Sequence, residues 1–299
     1  MDILDSIKSS IESNTNLDNM TKSKIFELII IFNNKFPDIK LDKFNELVKT
    51  VKLGRISKYE SLGTSFYDVT NNEILFSPNR IENIDYDLDN LFMRIILSMI
   101  TSNGKYSGFN STPDLRVLNS AYEEILANYI VGCSEVSDQE EEMVITNILA
   151  NIIGKDKLFE VYFTNNGQQI TDILNKLENE NMSKFLDEYN RFSEAKLNGT
   201  SYKEEYSNII SHELFIADKA IQLKYITNLE ILDDIDALVP NSSDGYNSGI
   251  NFNTNIAREN MNILIQKYSN VIENTNQHQV PITKQTNNIM TPPTFVMQK

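Results

Sequence analysis

The sequence predicts a mainly α-helical fold with one small β element, and three observations carry that reading. Apolar residues recur at intervals of three and four along most of the chain, the pattern of amphipathic helices. β-Prone residues cluster around a turn at one place, residues 65–76. Pro37, Gly54, Pro78, Pro113 and Gly132 fall where periodic segments stop or start. With 40% apolar and 9% aromatic residues over 299 positions, the chain has the means to bury a sizeable core.

Ile3, Leu4, Ile7 and Ile11 predict a first helix, and residues 20–32 a second, with Thr21 as its cap and Pro37 beyond its end. Leu41, Phe44, Leu47, Val48 and Val51 form a third apolar stripe, expected to close near Gly54 in a left-handed cap. Residues 65–69 and 73–76, joined by Thr70-Asn71-Asn72, predict a β-hairpin. Leu88, Leu91, Phe92, Ile95, Ile96 and Met99 then share one face of a buried helix. Residues 104–108 read as a loop, Thr112-Pro113 as a helix start and Gly132 as that helix's stop.

The acidic run 135–142 suits the positive end of the next helix and reads as a solvated first turn, ahead of Val144, Ile145, Ile148, Leu149 and Ile152. Helical intervals continue over residues 158–232. Residues 240–255 predict a loop and residues 261–272 a last helix. Residues 275–299, rich in Gln, Asn, Thr and Pro, predict a disordered tail.

A net charge of −15 repels nucleic acid and anionic lipid, so neither is an expected partner. The first residues lack a basic, apolar leader, and the longest apolar run has five residues, 28–32, too few for a membrane span. The single cysteine, Cys133, has no internal disulfide partner and fits a reducing, cytoplasmic setting. It reads as a small buried residue rather than a nucleophile.

Chemical motifs are informative by absence. Neither GxxxxGK[ST] nor GxGxxG is present, and no serine sits in GxSxG. His212-Glu213 opens like HExxH, but position 216 is Ile216; a Glu-x-x-His pair fails because position 209 is Ile209. His212 therefore reads as structural, and the other histidine, His278, falls in the predicted tail.

Residues 55–132 carry the most specific texture. A hairpin, a buried helix, a glycine-containing loop and a second helix follow one another. Leu91-Phe92-Met93-Arg94-Ile95-Ile96-Leu97 occupies the first helix and Leu118-Asn119-Ser120-Ala121-Tyr122-Glu123-Glu124 the second. This stretch resembles the thermolysin-like zincin metallopeptidases, whose first helix bears HExxH and whose second bears Asn-Glu-x-x-(Ser/Thr)-(Asp/Glu). The resemblance implies that Met93 and Leu97 replace the two zinc-binding histidines, Arg94 the catalytic glutamate and Ser120 the glutamate ligand. Asn119 and Glu124 alone are retained, the latter where active relatives orient a ligand. A thioether, an alkyl chain and a hydroxyl beside a guanidinium cannot hold zinc, so neither metal nor cofactor is expected. The same residues also fit a plain amphipathic helix in an unrelated helical protein.

The expected organisation is a helical segment 1–54, a zincin-like α+β core 55–155, a helical region 156–274 and the tail 275–299. The expected function is a non-catalytic scaffold binding another protein, through the vacated cleft around Met93, Arg94 and Glu124 or the acidic run. A hydrolase using paired carboxylates without metal is the alternative. An ion pair from Arg94 to Glu124 or Glu123 is expected in place of the metal.

Overall fold

The computed structural model describes residues 2–55, 66–76, 88–132, 140–178 and 182–223, together with 262, 263, 266 and 267. Ten α-helices and one three-stranded sheet are seen among them. Contacts divide the chain into two compact units, Met1–Gln139 with Phe159–Gly167, and Glu140–Leu158 with Gln168–Lys299. No described helix is long and apolar enough to cross a membrane. Cys133, His278, the 240–255 loop and the 275–299 tail lie outside the described residues, as does most of the 261–272 helix.

In the first unit, α1 (Ile3–Ser13) buries Ile7 and Ile11, and α2 (Asn19–Lys35) buries Ile25, Leu28, Ile29 and Phe32. The cap of α2 is Asp18 rather than Thr21. Its carboxylate accepts a 2.8 Å hydrogen bond from the Thr21 amide, which places Thr21 in the first turn.

The third helix is shorter than its apolar stripe predicts: α3 (Asp42–Val48) stops before Val51. The Lys52 amide, which would extend the helix to the Val48 carbonyl, donates to the Asn72 carbonyl instead, and side chains bind the carbonyls at the helix end. Asn14 Nδ2 donates to the carbonyls of Val48 and Val51, both at 2.9 Å, and Asn72 Nδ2 donates to that of Leu47 at 3.0 Å. The chain leaves instead as strand β1 (Lys52–Arg55). Gly54 is therefore a strand residue and caps no helix. A Cβ there would stand 2.3 Å from Glu73 Oε1 and 2.8 Å from a Leu75 methyl, so a side chain at this position would require the Glu73 and Leu75 side chains to move aside.

The hairpin forms as expected, with β2 (Phe66–Asp68) antiparallel to β3 (Glu73–Phe76) and Tyr67 opposite Ile74. β1 joins β3 in parallel on its other edge, giving the order β1-β3-β2. Helix α4 (Leu88–Ile100) is buried along nearly its whole length, Met93, Ile96, Leu97 and Met99 completely, while Leu88 is exposed. After the 101–112 loop, a 3-10 turn (Pro113–Leu115) leads into α5 (Arg116–Val131), which ends at Gly132 with φ +77°. α5 is the principal partner of α4.

The second unit contains α6 (Glu140–Ile153), the start of α7 (Lys155–Phe163), α8 (Gln168–Glu178), α9 (Met182–Leu197) and α10 (Lys203–Gln222). Phe185, Tyr189 and Phe192 of α9 and Tyr206, Ile209, Ile210 and Ile216 of α10 are buried in its core, and Phe192 meets Tyr206 there with ring centroids 5.4 Å apart. The start of α6 departs from the expected solvated turn, because Glu142 is only 2% exposed. Lys196 of α9 pairs with both Glu141 and Glu142, and its ammonium permits that burial. Glu141 and Glu142 thus share one internal cation.

Candidate functional site

The α4/α5 contact gathers the residues the sequence singles out. Successive turns of α4 bring Met93, Arg94 and Leu97 against Asn119, Ser120, Glu123 and Glu124 of α5. Met93 and Leu97 are completely buried. Arg94 Nη1 stands 2.9 Å from Glu124 Oε2, and its Nη2 donates to Ser120 Oγ at 3.3 Å. The side chains of this pair are 13% and 9% exposed, well removed from bulk solvent. Arg94 Nε, also buried, has no hydrogen-bond partner.

One turn along α4 lies a second polar centre, built on Glu123. Its Oε1 accepts from Ser98 Oγ at 2.9 Å, Tyr162 Oη at 3.0 Å and Asn119 Nδ2 at 3.1 Å. Asn119 Oδ1 in turn accepts the Phe109 amide at 2.7 Å, while the Gly108 amide donates to Thr101 Oγ1 at 2.9 Å. Burial pushes the Glu123 carboxyl above the ordinary carboxylate value, against the pull of the Arg94 charge and its three donors. Burial likewise raises Tyr162, and the neighbouring Glu123 adds to that shift.

Gly108 holds this centre tight. Its φ is +53°, and a Cβ would stand 2.2 Å from Asn119 Oδ1 and 2.4 Å from a Tyr162 ring carbon. Asn165, itself at φ +55°, ties the same loop to the end of α7 by donating to the carbonyls of Thr101 and Tyr106.

All six sequence-derived positions therefore fall in one contact region between two helices. Ser98, Thr101 and Tyr162 were not singled out. Ser98 could have been, as a polar residue on an otherwise apolar face of α4; Tyr162 carries no local signal, standing 39 residues from its partner Glu123. The carboxyls of Glu123 and Glu124 are both at least nine-tenths buried and both engaged, so they offer no solvent-open acid pair. Among the described residues, no group of three His, Cys, Asp or Glu side chains is placed to hold a metal ion. No protein family, curated protein or solved structure matches the chain.

Proposed function

We propose that the protein is a non-catalytic, zincin-like helical scaffold that binds another protein in the cytoplasm, without nucleic acid, membrane or cofactor. The observation carrying this reading is the Arg94–Glu124 pair, which links α4 to α5 between the fully buried Met93 and Leu97. Under the resemblance, those residues stand where active relatives keep a metal and its water. An ionic link then takes over the bridging role of the ion, and the chemistry is lost with the ligands. The order of hairpin, helix, loop and helix supports the same reading. The hydrolase alternative finds no support at this place, where both glutamates are consumed by internal partners.

The test restores what the resemblance says was lost. Met93→His, Arg94→Glu, Leu97→His and Ser120→Glu together recreate the HExxH pair and the third ligand. The fourfold variant is expected to bind one zinc per chain by elemental analysis after dialysis, and the unaltered protein none. A helical, cooperatively melting variant that binds no zinc would refute the zincin-like frame. Stoichiometric zinc in the unaltered protein, or peptide hydrolysis by it, would refute the non-catalytic reading. For the binding role, a protein captured from the source cells must reassemble from purified components at fixed stoichiometry; failure to do so removes that role.

A further inference from the structure

One buried acid of the second unit is unlike the glutamates of the α4/α5 contact, which are all engaged. Glu213 of α10 has no exposed surface, and neither of its carboxyl oxygens has a hydrogen-bond partner. Buried polar groups in folded proteins are nearly always paired, and each exception asks for a reason.

Among the described residues, none forms an ion pair or hydrogen bond with the Glu213 carboxyl. Helix α10 packs on α6, α8 and α9. From α10 itself comes Tyr206, and from α9 Tyr189, both close enough for a charge on Glu213 to bear on their hydroxyls. Tyr189 Oη is engaged with Thr146 Oγ1 and the Glu142 carbonyl. From α6 come Glu141 and Glu142, which like Glu213 bear on the Tyr206 hydroxyl, and Lys196 of α9 bonds to those two. From α8 come the buried apolar Ile170, Leu174 and Leu177 and the uncharged Thr171, while Asp172 and Lys176 are exposed. The adjacent His212 turns its ring toward Phe185, 6.0 Å away.

We propose that Glu213 is a proton-operated latch on the second unit, neutral while the helices stay packed and loosening them when its proton leaves. The physical basis is the cost of an ionised carboxylate in an apolar interior without a partner. That charge is tolerated only if the packing opens to admit water. Burial pushes the Glu213 carboxyl well above the ordinary carboxylate range. The folded unit thus keeps a proton that the unfolded chain has already released. Stability is full below the ordinary carboxylate value and falls as pH rises, until the folded group itself ionises. For a single proton, the unfolding equilibrium constant rises about tenfold per pH unit across that window.

The test is urea unfolding of the full chain from mildly acidic to mildly alkaline pH, with Glu213→Gln and Glu123→Gln in parallel. Glutamine keeps the shape and the unpaired polar atoms but cannot ionise. The expected result is that Glu213→Gln removes about a tenfold-per-unit share of the pH dependence. In hydrogen exchange corrected for intrinsic rates, amide protection in α10 is expected to fall with pH in the unaltered protein and to hold in the variant. An unchanged pH slope, or the same loss of α10 protection in both, would overturn the latch. If the glutamine variant does not fold, carboxyl-carbon resonances of labelled glutamate in the other two proteins decide. A carboxyl still protonated at neutral pH, and retained when Glu123 is replaced, supports the latch. Its absence overturns it.

Discussion

Substituting Arg94 by Met keeps an unbranched apolar stem in place of the arginine methylenes and removes the charge, which tests what the Arg94–Glu124 pair contributes. At 2.9 Å and an effective dielectric of about 20, the attraction is about 6 kcal/mol, and removing both ions from water takes back several. The larger effect of a single replacement lies in the group left behind. Arg94→Met leaves a carboxylate that is only 9% exposed without its cation and withdraws the donor from Ser120, so a loss of about 3 to 5 kcal/mol is expected. Glu124→Gln leaves a guanidinium that still reaches Ser120 and lies near Glu123, so its cost is smaller, about 2 to 4 kcal/mol. The double variant orphans neither charge. It is expected to be about 1 to 3 kcal/mol more stable than the sum of the single losses predicts. Urea unfolding of the four proteins closes the cycle, and a repeat near 1 M salt separates a buried pair from a screened surface one. Coupling within about 0.5 kcal/mol of zero, or coupling abolished by salt, would refute the idea that this pair fastens α4 to α5.

The second polar centre gives two sharper contrasts. Glu123→Ala orphans three buried donors, Ser98, Asn119 and Tyr162, and is expected to cost about 3 to 5 kcal/mol in unfolding free energy, whereas Glu123→Gln, which keeps an acceptor oxygen, costs less than half of that. Gly108→Ala is expected to lower the melting midpoint by roughly 10 °C or more, since its Cβ meets Asn119 Oδ1 at 2.2 Å; an open left-handed glycine such as Gly104 should cost only about 1 to 2 kcal/mol on the same change.

The sequence reads well wherever one short stretch decides the outcome. The hairpin, the buried α4, the Thr112-Pro113 start and the Gly132 stop all depend on residues within a turn or two of each other. The Arg94–Glu124 contact was also legible, because two helices packed at that register bring those positions together. What escaped depends on distant partners. Helix α3 ends early because Asn14, 34 residues before Val48, takes its carbonyl, and β1 exists because β3 lies ready beside it. Glu142 is buried because Lys196, 54 residues later, folds onto it. Tyr162 enters the Glu123 centre by the same kind of long return. Local periodicity carries no trace of these encounters, since the energy that selects them appears only after the elements have met.

The assignment of residues Phe159–Gly167 to the first unit, while Glu140–Leu158 belongs to the second, has a consequence for how the chain is made. During synthesis the ribosome releases residues in order, and a compact unit made of one continuous stretch can close as soon as that stretch emerges. Here the first unit lacks Tyr162 for Glu123, and Phe163 for the ring cluster of Phe32 and Phe36, until residues beyond 160 have appeared. By then α6, which belongs to the other unit, is already out. A nascent chain stopped at residue 139 therefore holds a carboxyl core with one donor missing and an aromatic cluster short of two rings, Phe159 and Phe163. Its first cooperative protection is set by the arrival of α7 rather than by the completion of α5.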